Sequence, residues 1–167
     1  MLKPALSLIA ALLLCSGAAA ENVTFATKPA LTPDGSQIYF SYSGDIYKVA
    51  TNGGLALKVI SMGGNESNPK ISPDGKLLAF SSNEQGNNNV YVVPVAGGVI
   101  TQLTFHDASD VPASWSPDSK GIYIESNRYN TRSTYYVPAE GGTPVRLFPH
   151  YFNTIANLVK NPATGEY

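Results

Sequence analysis

Cysteine is almost missing from this chain: its 167 residues include one, Cys15, beside two histidines and one tryptophan. A lone cysteine closes no disulfide within the chain and offers no cysteine-based metal site, so stability must come from packing. Charge is scarce as well. Charged residues make up 14% of the chain and the net charge is −1, which gives nucleic acid or an acidic membrane nothing to be drawn to. No Gly-x-Ser-x-Gly nucleophile elbow and no His-x-x-x-His pair occurs, and the aspartates lack calcium-loop spacing.

What is plentiful is glycine (15 residues) and proline (12), within a chain that is 43% hydrophobic. That combination suits many short strands joined by tight turns and disfavours an all-helical fold.

The first twenty residues stand apart. Lys3 precedes an apolar run from Ala5 to Leu14, and Ala18, Ala19 and Ala20 lead to the polar Glu21. This is the pattern of a secretory signal peptide over residues 1–20, cleaved between Ala20 and Glu21. The apolar run is too short for a membrane-spanning helix, so the mature chain is expected to be exported without membrane insertion, to the periplasm or the extracellular space. Cys15 also raises a lipid anchor, which Leu14 disfavours by standing where a small residue is expected.

From residue 21 onward one cassette recurs. It opens with Thr32-Pro33-Asp34-Gly35, Ser72-Pro73-Asp74-Gly75 and Ser116-Pro117-Asp118-Ser119, and each copy continues through an apolar run to a double glycine. The double glycines Gly53-Gly54, Gly97-Gly98 and Gly141-Gly142 lie 44 residues apart, the length of a four-stranded propeller blade. In each turn, proline presets φ, aspartate bonds the nearby backbone, and glycine accepts positive φ. Pro33, Asp34, Gly35, Pro73, Asp74, Gly75, Pro117 and Asp118 are therefore read as structural turn residues rather than an acidic site.

In the middle copy, Lys76 to Ser81 reads as a strand, Asn83 to Asn88 as a loop, Asn89 to Val93 as a β-branched strand, and Val99 to Thr104 as the last strand. The expected architecture is all-β, a propeller of four-stranded antiparallel blades. Its blades span about 27–62, 67–106 and 111–150, and a fourth starts at 154–167, where Asn161-Pro162-Ala163-Thr164-Gly165 falls at the turn position. Residues 21–167 thus read as a partial propeller, because three blades and a fraction do not close a ring.

Few residues invite chemistry. The loop His106-Asp107-Ala108-Ser109-Asp110 holds a serine, a histidine and two acids, but a triad is made by geometry across elements, so this reads as a polar inter-blade loop. His106 and His150 recur at the same blade position, which favours a repeated local hydrogen bond over a metal. Tyr91, Tyr135, Tyr136 and Trp115 read as packing residues. No catalytic, cofactor-binding or metal-ligating residue is assigned, and no cofactor is expected. The loop Asn83–Asn89 is the proposed contact surface, its amides being suited to bonding a peptide backbone.

The unit from Asp110 through Trp115-Ser116-Pro117-Asp118, then Ser126-Asn127-Arg128, Tyr135-Tyr136-Val137 and Gly141-Gly142, resembles the WD40-like repeat of TolB propellers. Leu103-Thr104-Phe105-His106 followed by Asp110 and Trp115 is similar to the N-terminal propeller of tricorn-type, tail-specific-peptidase-like serine proteases. Ser119, Glu84 and the missing aspartate of the fourth turn depart from the pattern. The resemblance implies a six- or seven-bladed propeller that admits or holds peptide ahead of a downstream peptidase domain, so this chain carries none of the catalytic residues. The alternative it implies is a TolB-like periplasmic adaptor that binds other proteins.

Overall fold

The computed structural model describes residues 25–129 and 131–148. The proposed leader with Cys15, Ala20 and Glu21, together with His150 and the fourth turn, lies outside the described residues. Within them every regular element is a β-strand, and the strands form three four-stranded antiparallel sheets.

The first sheet is β1 (Thr27–Leu31), β2 (Gln37–Tyr42), β3 (Asp45–Ala50) and β4 (Leu57–Ile60). The second is β5 (Glu66–Ile71), β6 (Leu77–Ser82), β7 (Asn89–Pro94) and β8 (Thr101–Gln102). The third is β9 (Asp110–Trp115), β10 (Gly121–Tyr129), β11 (Thr131–Pro138) and β12 (Val145–Arg146). In each sheet the strands follow in chain order, as in propeller blades. The first strands β1, β5 and β9 lie against one another, which makes them the inner strands.

Two spans differ from expectation. The outer strand of the second sheet is only Thr101–Gln102; beyond it Leu103 N still donates to Val90 O at 2.8 Å, but the return bond goes to a side chain, Val90 N donating to Thr104 Oγ1 at 2.9 Å. In the third sheet the stretch equivalent to the Asn83–Asn88 loop of the middle copy is largely strand, with Ser126 opposite Ser133 and Tyr129 opposite Thr131.

Alternation decides which side chains meet. Tyr39, Ile46 and Ile60 of the first sheet pack on Leu78, Phe80, Tyr91 and Val93 of the second. The opposite face of the second sheet, with Ala79, Val90 and Val92, packs on Trp115, Ile122, Ile124, Tyr135 and Val137 of the third. The middle sheet is covered on both faces, which explains why β6 and β7 read as continuous apolar runs rather than alternating ones. Trp115 also ties sheets together, its Nε1 donating to the Lys70 carbonyl at 2.8 Å.

The inner strands are bent. Pairing slips by a residue between Thr27 and Ala30 in β1 and between Ser67 and Lys70 in β5, and Lys28 and Asn68 take positive φ of 53° and 55° at these bulges. In β9 the register also slips, between the partners of Tyr123 and Ile124. There Pro112 stands 44 residues after Asn68, and its ring excludes positive φ.

Candidate functional site: the polar rim of the three sheets

The sheets present two different ends. At one lie the proline-aspartate turns and the double glycines; at the other lie the β2–β3, β6–β7 and β10–β11 connections and the links between sheets.

The turn end is built three times alike. Thr32 Oγ1, Ser72 Oγ and Ser116 Oγ each donate to the Oδ1 of the aspartate two residues on, at 2.6 Å in all three copies. The same Oδ1 accepts the amide of Ser36, Lys76 or Lys120, and the hydroxyl accepts the amide of Gln37, Leu77 or Gly121. Donated hydrogen bonds favour the charged carboxylate. The Thr32 hydroxyl, aided by the Ser36 amide and hydroxyl, brings Asp34 down to about 2, and the Ser72 and Ser116 hydroxyls lower Asp74 and Asp118 in the same way. Gly35 and Gly75 have φ of 71° and 74°, and Ser119 takes 60° at the same place. Its side chain offsets the strain by bridging sheets, for Asp74 N donates to Ser119 Oγ at 3.1 Å.

The rim end diverges between copies. Each link to the next sheet is anchored alike: Glu66 N donates to Gly44 O at 2.7 Å and Asp110 N to Asn88 O at 2.8 Å. The side chains then differ. Asp110, which the sequence placed in a polar inter-blade loop, is the first residue of β9 and fully buried. Burial there requires a counter-charge. Arg128 supplies it, with Nη2 at 2.7 Å from Oδ2 and Nε donating to Oδ1 at 3.4 Å, and its guanidinium lies 5.1 Å from the centre of the Tyr135 ring.

Glu66 occupies the same place in the second sheet and is 1% exposed, yet its bonds are to neutral donors. Ser82 Oγ donates to Oε1 and Met62 N to Oε2, both at 2.9 Å. Where the third sheet has Arg128, the second has Glu84. Tyr91 and its counterpart Tyr135 both bury a hydroxyl without a hydrogen-bond partner and burial raises the pKa of each; at Tyr91, Glu84 and Glu66 push it further up. Sequence reasoning passed over Glu66. Its spacing of 44 from Asp110, set beside the change from Ser-Asn-Arg to Ser-Asn-Glu, was the signal for it.

The Asn83–Asn89 loop is tied into the rim. Asn87 Nδ2 donates to the carbonyls of His106 and Ala108, Asn88 Nδ2 to Ser109 Oγ, and Asn83 Oδ1 accepts the Asn65 amide. These bonds fasten neighbouring loops to one another. Nor does the His106–Asp110 loop assemble a triad: His106 Nδ1 accepts the Ala108 amide at 2.9 Å, Ser109 Oγ accepts from Asn88, and Asp110 is paired with Arg128. Among the described residues no group of three histidine, cysteine or acidic side chains is placed to hold a metal.

Comparison with solved structures agrees with this architecture. TolB from Acinetobacter baumannii superposes with a TM-score of 0.64 and 26% identity, over 77% of this chain and 34% of that one. A puromycin-hydrolyzing peptidase of Mycobacterium tuberculosis gives a TM-score of 0.65 at 18% identity, over 75% of this chain and 22% of that one. The tricorn protease gives 0.58 at 15% identity, over 71% and 14% respectively. The chain therefore spans about a third of the length of this TolB and less of the two peptidases. No curated protein matches the sequence. The model of the tricorn protease N-terminal beta propeller domain matches residues 24–159, and the chain belongs to that family.

Proposed function

We propose that this chain is the exported, non-catalytic part of a larger protein, a propeller segment that binds or gates peptide or protein substrate for a serine-peptidase domain elsewhere in that protein. The observation that carries this reading is the family match over residues 24–159. The rim supports it, because there the copies diverge in charge while the opposite turns stay alike, and propellers present their partners with loops at one end. Export rests on the leader pattern of residues 1–20.

A second reading, a TolB-like adaptor that binds other envelope proteins, is favoured by the 26% identity to TolB from Acinetobacter baumannii. The full-length protein, purified from the exported fraction, separates the two. Hydrolysis of casein together with retention of its peptides supports the substrate-gating role. Binding of envelope proteins without hydrolysis supports the adaptor. Amino-terminal sequencing of the same material should begin at Glu21, and a start at Met1 would overturn export through this leader.

A further inference from the structure

Between the first and second sheets the rim opens into a groove of about 220 Å³ lined in part by Thr27, Ser41, Tyr42, Asn65, Glu66 and Ser67. Two of these are buried polar groups. The Glu66 carboxylate is 1% exposed and receives only the neutral Met62 amide and Ser82 hydroxyl. Ser41 is 6% exposed, and its Oγ has no hydrogen-bond partner. A buried hydroxyl left unpaired costs stability.

The third sheet shows what such an acid takes when a cation is supplied. Asp110, in the equivalent place, holds the guanidinium of Arg128 in a paired geometry. In the second sheet the arginine position is Glu84, so the same acid stands without its internal cation and with a second acid in its place. We propose that the groove takes a primary ammonium from outside, the amino end of a peptide or a lysine side chain. An ammonium has three donors and no acceptor. Each Glu66 oxygen accepts one known bond and retains a further lone pair, the Ser41 hydroxyl has its acceptor sites unused, and Thr27 and Ser67 line the same groove. A metal ion is poorly served by a single carboxylate among hydroxyls. An anion would meet Glu66.

This inference rests on the peptide-binding reading and names the chemical group that the peptide presents. Calorimetric titration of the full-length protein with three peptides tests it: Ala-Ala-Ala amide, its N-acetylated form, and N-acetyl-Ala-Lys-Ala amide. Charge-assisted bonds of about 1.5–3 kcal/mol correspond to a preference of roughly tenfold or more for an amine-bearing peptide over the acetylated, lysine-free one. Whether the free amino end or the lysine carries that preference identifies the source. Ser41→Ala removes a buried hydroxyl with no internal partner, so it should leave the melting temperature unchanged or raise it while reducing the preference to about threefold or less. Glu66→Gln should reduce it similarly, and if that variant does not fold, Ser41→Ala decides. Equal binding of all three peptides, or a preference untouched by Ser41→Ala, overturns the ammonium site and leaves peptide binding standing. Absence of binding to any of the three, together with no retention of casein peptides, overturns both.

Discussion

The two ends of the sheets are made of the same kinds of groups, serines and carboxylates bonded to backbone amides, but only one end repeats. At the turn end three hydroxyl–aspartate–amide networks share a 2.6 Å bond and the same order of partners. At the rim the third sheet closes an ion pair, Asp110 with Arg128, and the second leaves Glu66 bonded to neutral donors. Each turn solves a problem internal to its own hairpin, so the same answer serves every copy. The rim joins one sheet to the next, and each junction can be used differently.

The largest effect is expected from breaking the rim pair. Asp110→Ala leaves the Arg128 guanidinium without a partner in a nearly buried site and should cost about 3–5 kcal/mol in chemical denaturation. Glu66→Ala strands no cation and should cost less, about 1–3 kcal/mol. Equal losses in the two variants would mean that the rim positions are equivalent after all.

At the turn end the three copies should respond alike. Ser72→Ala, Thr32→Ala and Ser116→Ala each deprive an aspartate and an amide of their shared hydroxyl, and losses of about 1–3 kcal/mol are expected, matching one another within about 1 kcal/mol. The aspartates also set an acid dependence. Their folded pKa values lie below the unfolded value, so the stability they contribute is present above about pH 4. It is lost as pH falls through the folded values, for Asp34 toward about 2. Carboxyl titration followed by NMR should show all three depressed, and an ordinary midpoint at Asp74 or Asp118 would contradict the bonding described. The smallest effect belongs to Ser119→Gly, where relief of the positive φ offsets loss of the bond to Asp74; a net change under about 1 kcal/mol is expected.

The turns were legible because their causes lie within five residues: a proline that sets φ, an aspartate that reaches the amide two residues on, and a residue that accepts positive φ. The double glycines were legible for the same reason, with φ of 91° and 118°, 90° and 149°, and 97° and 138° in the three copies. Less could be read at the rim. Asp110 and Arg128 are 18 residues apart, and each is an ordinary polar residue until the hairpin between them brings one over the other. The asparagines of the Asn83–Asn89 loop looked free to meet a ligand because nothing local shows that the His106 and Ala108 carbonyls come to Asn87.

The sequence by itself determined the repeat, the positions of the tight turns and the all-β class, because spacing and turn chemistry are local and survive without knowledge of neighbours. Only the tertiary structure decided which carboxylates are buried, which are paired, and that Ser41 and Glu66 line one groove. Burial depends on which sheet face meets which and pairing on which strands lie side by side, and both are fixed by contacts between residues distant in the chain, Asp110 with Arg128 across 18 residues and Trp115 with Lys70 across 45, in an interior where such bonds are stronger than in water.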